Sequence, residues 1–115
     1  MERIQDKTAI QTEIDSFANQ DVYVHLETTN GAYATHTNEK VMTVGAFMRN
    51  ARISFERGTI AGTNPYRIGL KMEHGWVYAE GITHWLKDEK GRLLLSGHDN
   101  LGRLAVALQL SKEPF

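Results

Sequence analysis

The chain has 115 residues, 41% of them hydrophobic and 23% charged, the size and balance of one folded domain with one core and no low-complexity stretch. It contains no cysteine, which excludes disulfides, thiolate metal clusters and a cysteine nucleophile and fits a reducing cytoplasm; its formal net charge of −1 lacks the basic footprint that a nucleic-acid partner requires. No basic start leads into an apolar signal segment, and no stretch nears the roughly 18 apolar residues of a membrane span, so secretion and membrane insertion are not expected.

Ile10, Ile14 and Phe17 recur at helical spacing, and Thr8 followed by Gln11 has the form of a capping box, which predicts a helix over about residues 8–18. From Val22 the period becomes two, with Val22, Val24 and Leu26 alternating against Tyr23, His25 and Glu27, the pattern of a half-buried strand. Asn30-Gly31 tolerates the positive φ angles of a tight turn, so residues 32–37 are expected to return antiparallel. Val41 to Phe47 and Arg52 to Ile60 read as strands, with a turn or bulge at Arg49-Asn50. Beyond the loop Gly62-Thr63-Asn64-Pro65, the alternating Tyr66, Ile68, Leu70 and Met72 lead to a turn at His74-Gly75 and a return strand from Trp76 to Trp85. Turns at Lys87 to Arg92 and Asp99 to Gly102 separate the last two strands, Leu93 to Gly97 and Leu104 to Leu110.

One helix followed by seven or eight short strands predicts a single mainly β (α+β) domain over residues 1–115: a small, mostly antiparallel β-barrel or strongly curved sheet capped by the N-terminal helix. A two-sheet sandwich satisfies the same periodicity, because alternation reports a buried face but not strand order. Gly69, Gly75, Gly81 and Gly97 read as positions of sheet bending, bulges or close backbone approach. Aromatic residues concentrate between Tyr66 and Trp85, with Trp76 and Tyr78 expected on opposite faces of their strand.

No P-loop or dinucleotide fingerprint, His-Glu-x-x-His helix or Gly-x-Ser-x-Gly elbow is present, so most large enzyme classes lack their signature. The most specific positive feature depends on the first hairpin. With Asn30-Gly31 as its loop, Glu27 faces Ala34 and His25 faces His36, which sets His25, Glu27 and His36 on one face. Two imidazoles and a carboxylate are a ligand set for zinc or non-haem iron, so these three are the candidate site for a divalent metal; the plainer reading is a polar hairpin face held by ordinary hydrogen bonds. His74, His84 and His98 are weaker candidates, and His98 cannot be assumed to touch Asp99, since neighbours in a strand point to opposite faces.

The runs Val22-Tyr23-Val24-His25-Leu26-Glu27-Thr28-Thr29, Asn38-Glu39-Lys40, Arg49-Asn50-Ala51, Pro65 to Lys71, Gly75 to Gly81 and Gly97-His98 together resemble the YojF-like family of small uncharacterised proteins from Bacillus and relatives. The likeness spans nearly the whole chain. It implies a compact β-rich cytoplasmic protein of unknown function, without catalytic residues to carry over, from a family often encoded beside a zinc-dependent deacetylase of bacillithiol synthesis. Three functions therefore stand open: a binding or accessory module, with a protein partner or as a homo-oligomer through a strand edge; a small-molecule-binding protein or metal-assisted enzyme using the histidine hairpin; and a self-assembling structural domain.

Overall fold

A computed structural model describes residues 1–30 and 44–115. The expected turn at Asn30-Gly31, the return strand 32–37 and His36 lie at or beyond the edge of that range. The elements are β1 (Glu2–Arg3), α1 (Lys7–Asp15), β2 (Val22–Asn30), β3 (Val44–Ile53), β4 (Phe55–Gly62), β5 (Tyr66–Met72), β6 (Trp76–Ile82), β7 (His84–Lys87), β8 (Leu93–His98) and β9 (Leu104–Ser111). They form an antiparallel six-stranded sheet in the order β1-β7-β8-β9-β2-β3 and an antiparallel three-stranded sheet in the order β4-β5-β6. The fold is mainly β with one short helix, and no helix among the described residues is long and apolar enough to cross a membrane.

The expected closed barrel is not found, and the two-sheet alternative fits. Two runs that read as continuous strands each change sheet at a single residue. Ser54 separates β3 from β4, and Thr83 separates β6 from β7, so residues adjacent in sequence pair with different partners. Inward residues of both sheets, among them Val24, Leu93, Leu95, Leu108 and Leu110 from one and Ile60, Ile68, Leu70 and Val77 from the other, join Ile10, Ile14 and Phe17 of the helical segment in one buried apolar cluster. Each such fully buried aliphatic or aromatic side chain contributes about 1.5–3 kcal/mol.

The helix starts one residue before its expected start, at Lys7, and ends three residues earlier than expected, at Asp15. Its N-cap is Asp6, whose carboxylate accepts the Thr8 N–H at 2.9 Å, so Thr8 lies inside the first turn rather than capping it. Gln11 is thereby free for another task. Its carboxamide donates to the Gly58 carbonyl at 2.8 Å and accepts from the Ile60 N–H at 3.0 Å, as a neighbouring strand would, and so covers the outer edge of β4. At the other sheet, β1 covers the outer edge of β7.

Bulges and turns follow their local chemistry. Ala51 pairs with Val24 and Met48 with Leu26, which leaves both Arg49 and Asn50 opposite His25; Asn50 absorbs the extra residue at φ 58°. The β7–β8 and β8–β9 turns are copies of one another. In Asp88-Glu89-Lys90-Gly91-Arg92 and Asp99-Asn100-Leu101-Gly102-Arg103 the aspartate accepts two backbone N–H groups and the Arg Nε, and the glycines sit at φ 76° and 78°. At Asp88 burial pushes the carboxyl up, but hydrogen bonds from the Arg92 backbone and side chain prevail and hold it low; at Asp99 the Arg103 backbone N–H leads in lowering it. Trp76 and Tyr78, two apart on β6, share a face after all, and their rings stack at 5.6 Å.

Where β6 meets β8 the two sheets touch backbone to backbone. A β-carbon at Gly97 would overlap the Gly81 carbonyl oxygen and lie 2.8 Å from Val106 Cγ1. Gly97→Ala is expected to destabilise the fold by about 1–3 kcal/mol or more, read from urea denaturation; an unchanged midpoint would mean that the sheets do not meet there. Both turn aspartates carry carboxyls lowered by folding, so their stabilisation is present above the ordinary Asp range and lost as the pH falls through their depressed values. The double variant Asp88→Asn, Asp99→Asn should therefore lose stability at neutral pH, where that contribution is present, and converge on the wild-type chain at acid pH, where it is already lost, so that the acid limb flattens, as followed by acid unfolding monitored with circular dichroism.

Candidate functional site

Of the three residues expected to form a metal site, the structure brings two together. His25 and Glu27 alternate on one face of β2, and the His25 Nε2 lies 3.0 Å from Glu27 Oε1. His36 lies outside the described residues. The hairpin register that would set it against His25 is not the one observed: β2 is flanked by β3 and β9, Glu27 faces Phe47 on one side and Ala107 on the other, and His25 faces Gln109. Asn-Gly signals a turn, but the apolar, β-branched stretch further along supplies the partner that fills the long β2 edge.

The second nitrogen of His25 is also engaged. The Arg49 Nη1, brought there by the β3 bulge, lies 3.2 Å from His25 Nδ1. A guanidinium can only donate, so Nδ1 accepts and the proton sits on Nε2, directed at Glu27. His25 is buried, stacks on Phe47 with centroids 6.3 Å apart and meets the edge of Phe115 at 6.5 Å. Phe115 in turn lies under the Arg49 guanidinium at 5.0 Å and is held by Asn50, whose side chain accepts the Phe115 N–H at 2.7 Å and donates to its carbonyl at 3.3 Å. A cation coordinated by His25 requires Arg49 or Glu27 to withdraw. Among the described residues no three His, Asp or Glu side chains are placed to hold a metal ion.

A second histidine pair, weighed lightly in the sequence, lies on the same sheet. Pairing carries one row of residues across all six strands: Phe47, Glu27, Ala107, Ser96, His84 and Arg3 are successive neighbours. Small Ala107 and Ser96 make the middle of the row low, so that Glu27, Ser96, His84 and His98 line a shallow depression of about 460 Å³. His98, two residues beyond Ser96, meets His84 edge to face at 5.0 Å. Thr83 Oγ1 lies 2.6 Å from His84 Nδ1. Burial first, then the charges of His98, Arg3 and the chain's amino terminus, lower the His84 pKa below the ordinary histidine value.

Two further depressions open from His98. One, of about 620 Å³, is lined by Arg3, Thr83, His84, His98, Asp99 and Asn100. The other, of about 610 Å³, has Leu26, Pro65, Tyr78 and Val106 in its walls and shares Thr83, His98 and Asn100 with the first. The sequence signal for this place was faint, because His84 and His98 become neighbours only through the β7–β8 pairing.

The arrangement at His25 fixes its tautomer. In the folded protein at pH 8, ¹⁵N shifts of His25 should show a protonated Nε2 and a bare, accepting Nδ1; an Nδ1–H signal would remove Arg49 as its donor.

The family described as "Protein of unknown function (DUF1806)" matches residues 4–115. An uncharacterised protein, YojF of Bacillus subtilis (strain 168), is 50% identical over 109 residues, covering 95% of this chain and 94% of that protein. The crystal structure of the Bacillus subtilis YojF protein matches with a TM-score of 0.84 at 42% identity, covering 99% of this chain and 95% of that one. The resemblance read from the sequence motifs is borne out, and the chain belongs to the DUF1806 family of proteins of unknown function.

Proposed function

We propose that the protein is a cytoplasmic binding module that works as a homodimer, joined by edge-to-edge pairing of β3 with β3 of a second copy. The observation that carries this reading is the state of that strand. From Gly45 to Asn50 every residue of β3 is exposed, Phe47 at 74% and Met48 at 43%, and no other described strand pairs with its outer edge. The edges of β4 and β7 are covered, by Gln11 and by β1, whereas β3 is long and, ahead of its bulge, uncharged from Val44 to Met48.

Self-pairing suits that sequence. A two-fold axis through Phe47 sets Met48 against Ala46 and Arg49 against Gly45, so the register opposes no like charges and buries the exposed apolar side chains of both copies. Catalysis is not assigned to the module, because the sequence holds no enzyme signature and both nitrogens of its most buried histidine are occupied.

Sedimentation velocity and light scattering test the reading. The expected result is a dimer at micromolar concentration that Met48→Lys, a charge placed on an exposed edge, weakens at least tenfold. A chain that stays monomeric up to high concentration, or a dimer indifferent to Met48→Lys, overturns it. Capture of the deacetylase of bacillithiol synthesis by the wild-type chain, lost with Met48→Lys, would reassign the edge from a second copy to that enzyme.

A further inference from the structure

The cleft around His98 has two halves of different chemistry. On one side stand donors that lack a protein acceptor among the described residues: the Arg3 guanidinium, the Asn100 carboxamide and the His98 ring. His84 joins them. When the Thr83 hydroxyl donates to its Nδ1, at 2.6 Å, its Nε2 carries the proton and becomes a donor too. The carboxylates nearby are already engaged or set apart. Asp99 is tied to Arg103 Nε at 2.8 Å and to two backbone N–H groups, Glu27 is tied to His25, and Glu80 lies across the sheet from Arg67 at the far wall. The net offering is therefore positive and donor-rich. On the other side of His98 the wall carries the apolar Leu26, Pro65, Tyr78 and Val106, alongside the polar Thr28, Asn64 and Glu80. Volumes of about 620 and 610 Å³ are each of the size that holds a small ligand.

We propose that this cleft binds a small amphiphilic molecule, its carboxylate or phosphate head held by Arg3, His84, His98 and Asn100 and its apolar body lying along Leu26, Tyr78 and Val106. A divalent cation is the poorer fit, because Arg3 stands directly opposite His84 in the β1–β7 pair and would oppose it. Burial first, and then the neighbouring positive charges of His98, Arg3 and the amino terminus, depress the His84 pKa; an anion bound beside Arg3 and His98 offsets those charges and favours a proton on the imidazole. The groups that set this response are His84, His98, Arg3 and the chain's amino terminus on one side and Asp99, Glu27 and Glu80 on the other.

The probes are octanoate and octyl phosphate, with octanol and inorganic phosphate as the single-feature controls, followed by calorimetry and by the imidazole NMR signals of His84 and His98. Both amphiphiles are expected to shift the two histidine signals and to bind at least tenfold tighter than either control. Arg3→Gln, a change at an exposed residue, should weaken them about tenfold, and Tyr78→Ala should weaken them while leaving inorganic phosphate unchanged. Affinity should rise between pH 8 and pH 6, and His84→Gln should remove that rise. The pair octanoate and octyl phosphate separates a carboxylate head from a phosphate head, and a preference for either supports the site. Equal binding of octanol, no response of His84 and His98 to any probe at millimolar concentration, or zinc binding that shifts both histidines and is strengthened by Arg3→Gln overturns it.

Discussion

The contact on which the arrangement turns is the meeting of Gly97 with the Gly81 carbonyl. Face-to-face sheets ordinarily stand about 10 Å apart, with two layers of side chains between them. Here β6 leaves the three-stranded sheet and, one residue later, becomes β7 of the other sheet, so the layers must converge at this corner. Convergence leaves no room for a side chain at Gly97 of β8, whose Cα–H is directed at a carbonyl oxygen, a weak but favourable contact. The Thr83 N–H then donates to Ser96 and the Ile4 N–H to Thr83, both at 2.9 Å, so the crossing residue is paired on both sides although it belongs to no strand. That pairing fixes His84 opposite Ser96, and His98 follows two residues on. The histidine cleft exists because the sheets meet where they do.

Edges divide the surface into closed and open parts by a second, local mechanism. A strand edge is closed to further pairing by groups that present a donor and an acceptor at backbone spacing. Gln11 does this for β4 with a single carboxamide, and Asn50 does it for Phe115 in the same manner, which draws the last residue against His25. Both are amide side chains standing in for a peptide group. From Gly45 to Met48, β3 has no such substitute among the described residues, and its most exposed apolar side chain, Phe47, begins the row that ends at Arg3.

Much of this was legible in the residues. The alternation at Val22, Val24 and Leu26 gives the inward face correctly, the turn chemistry at Gly62 to Pro65, His74-Gly75, Lys87 to Arg92 and Asp99 to Gly102 places four connections, and of the readings open for the strand glycines, sheet bending, bulges or close backbone approach, the last is what Gly97 shows. The barrel was not legible as wrong, because Ser54 and Thr83 interrupt their strands without Gly or Pro; a change of sheet at one ordinary residue leaves the period nearly intact. The Thr8 capping box failed because Asp6, two residues earlier, offers a stronger acceptor and Gln11 has a better use across the helix. Both later turns are legible in the residues, but not as copies of one another; their shared Asp-x-x-Gly-Arg pattern takes on meaning only once each aspartate is seen to bind its own arginine and two backbone N–H groups.

The His25–Glu27 pair and the His84–His98 pair come together on this sheet in different ways. His25 and Glu27 are two apart on one strand, so their proximity follows from the strand itself, and Arg49 reaches the remaining nitrogen only because a bulge adds a residue to β3. The outcome is a histidine whose two nitrogens are already committed, and whose orientation is locked between Phe47 and Phe115. His84 and His98 come from different strands, and their proximity follows from register, which sequence does not report. A histidine satisfied on both nitrogens stabilises; one engaged among the described residues at Nδ1 alone, facing a concavity beside an arginine with no carboxylate partner among those residues, has bonding capacity left over. That residual capacity, rather than the number of ligand-type residues in a motif, is what separates the two places on this sheet.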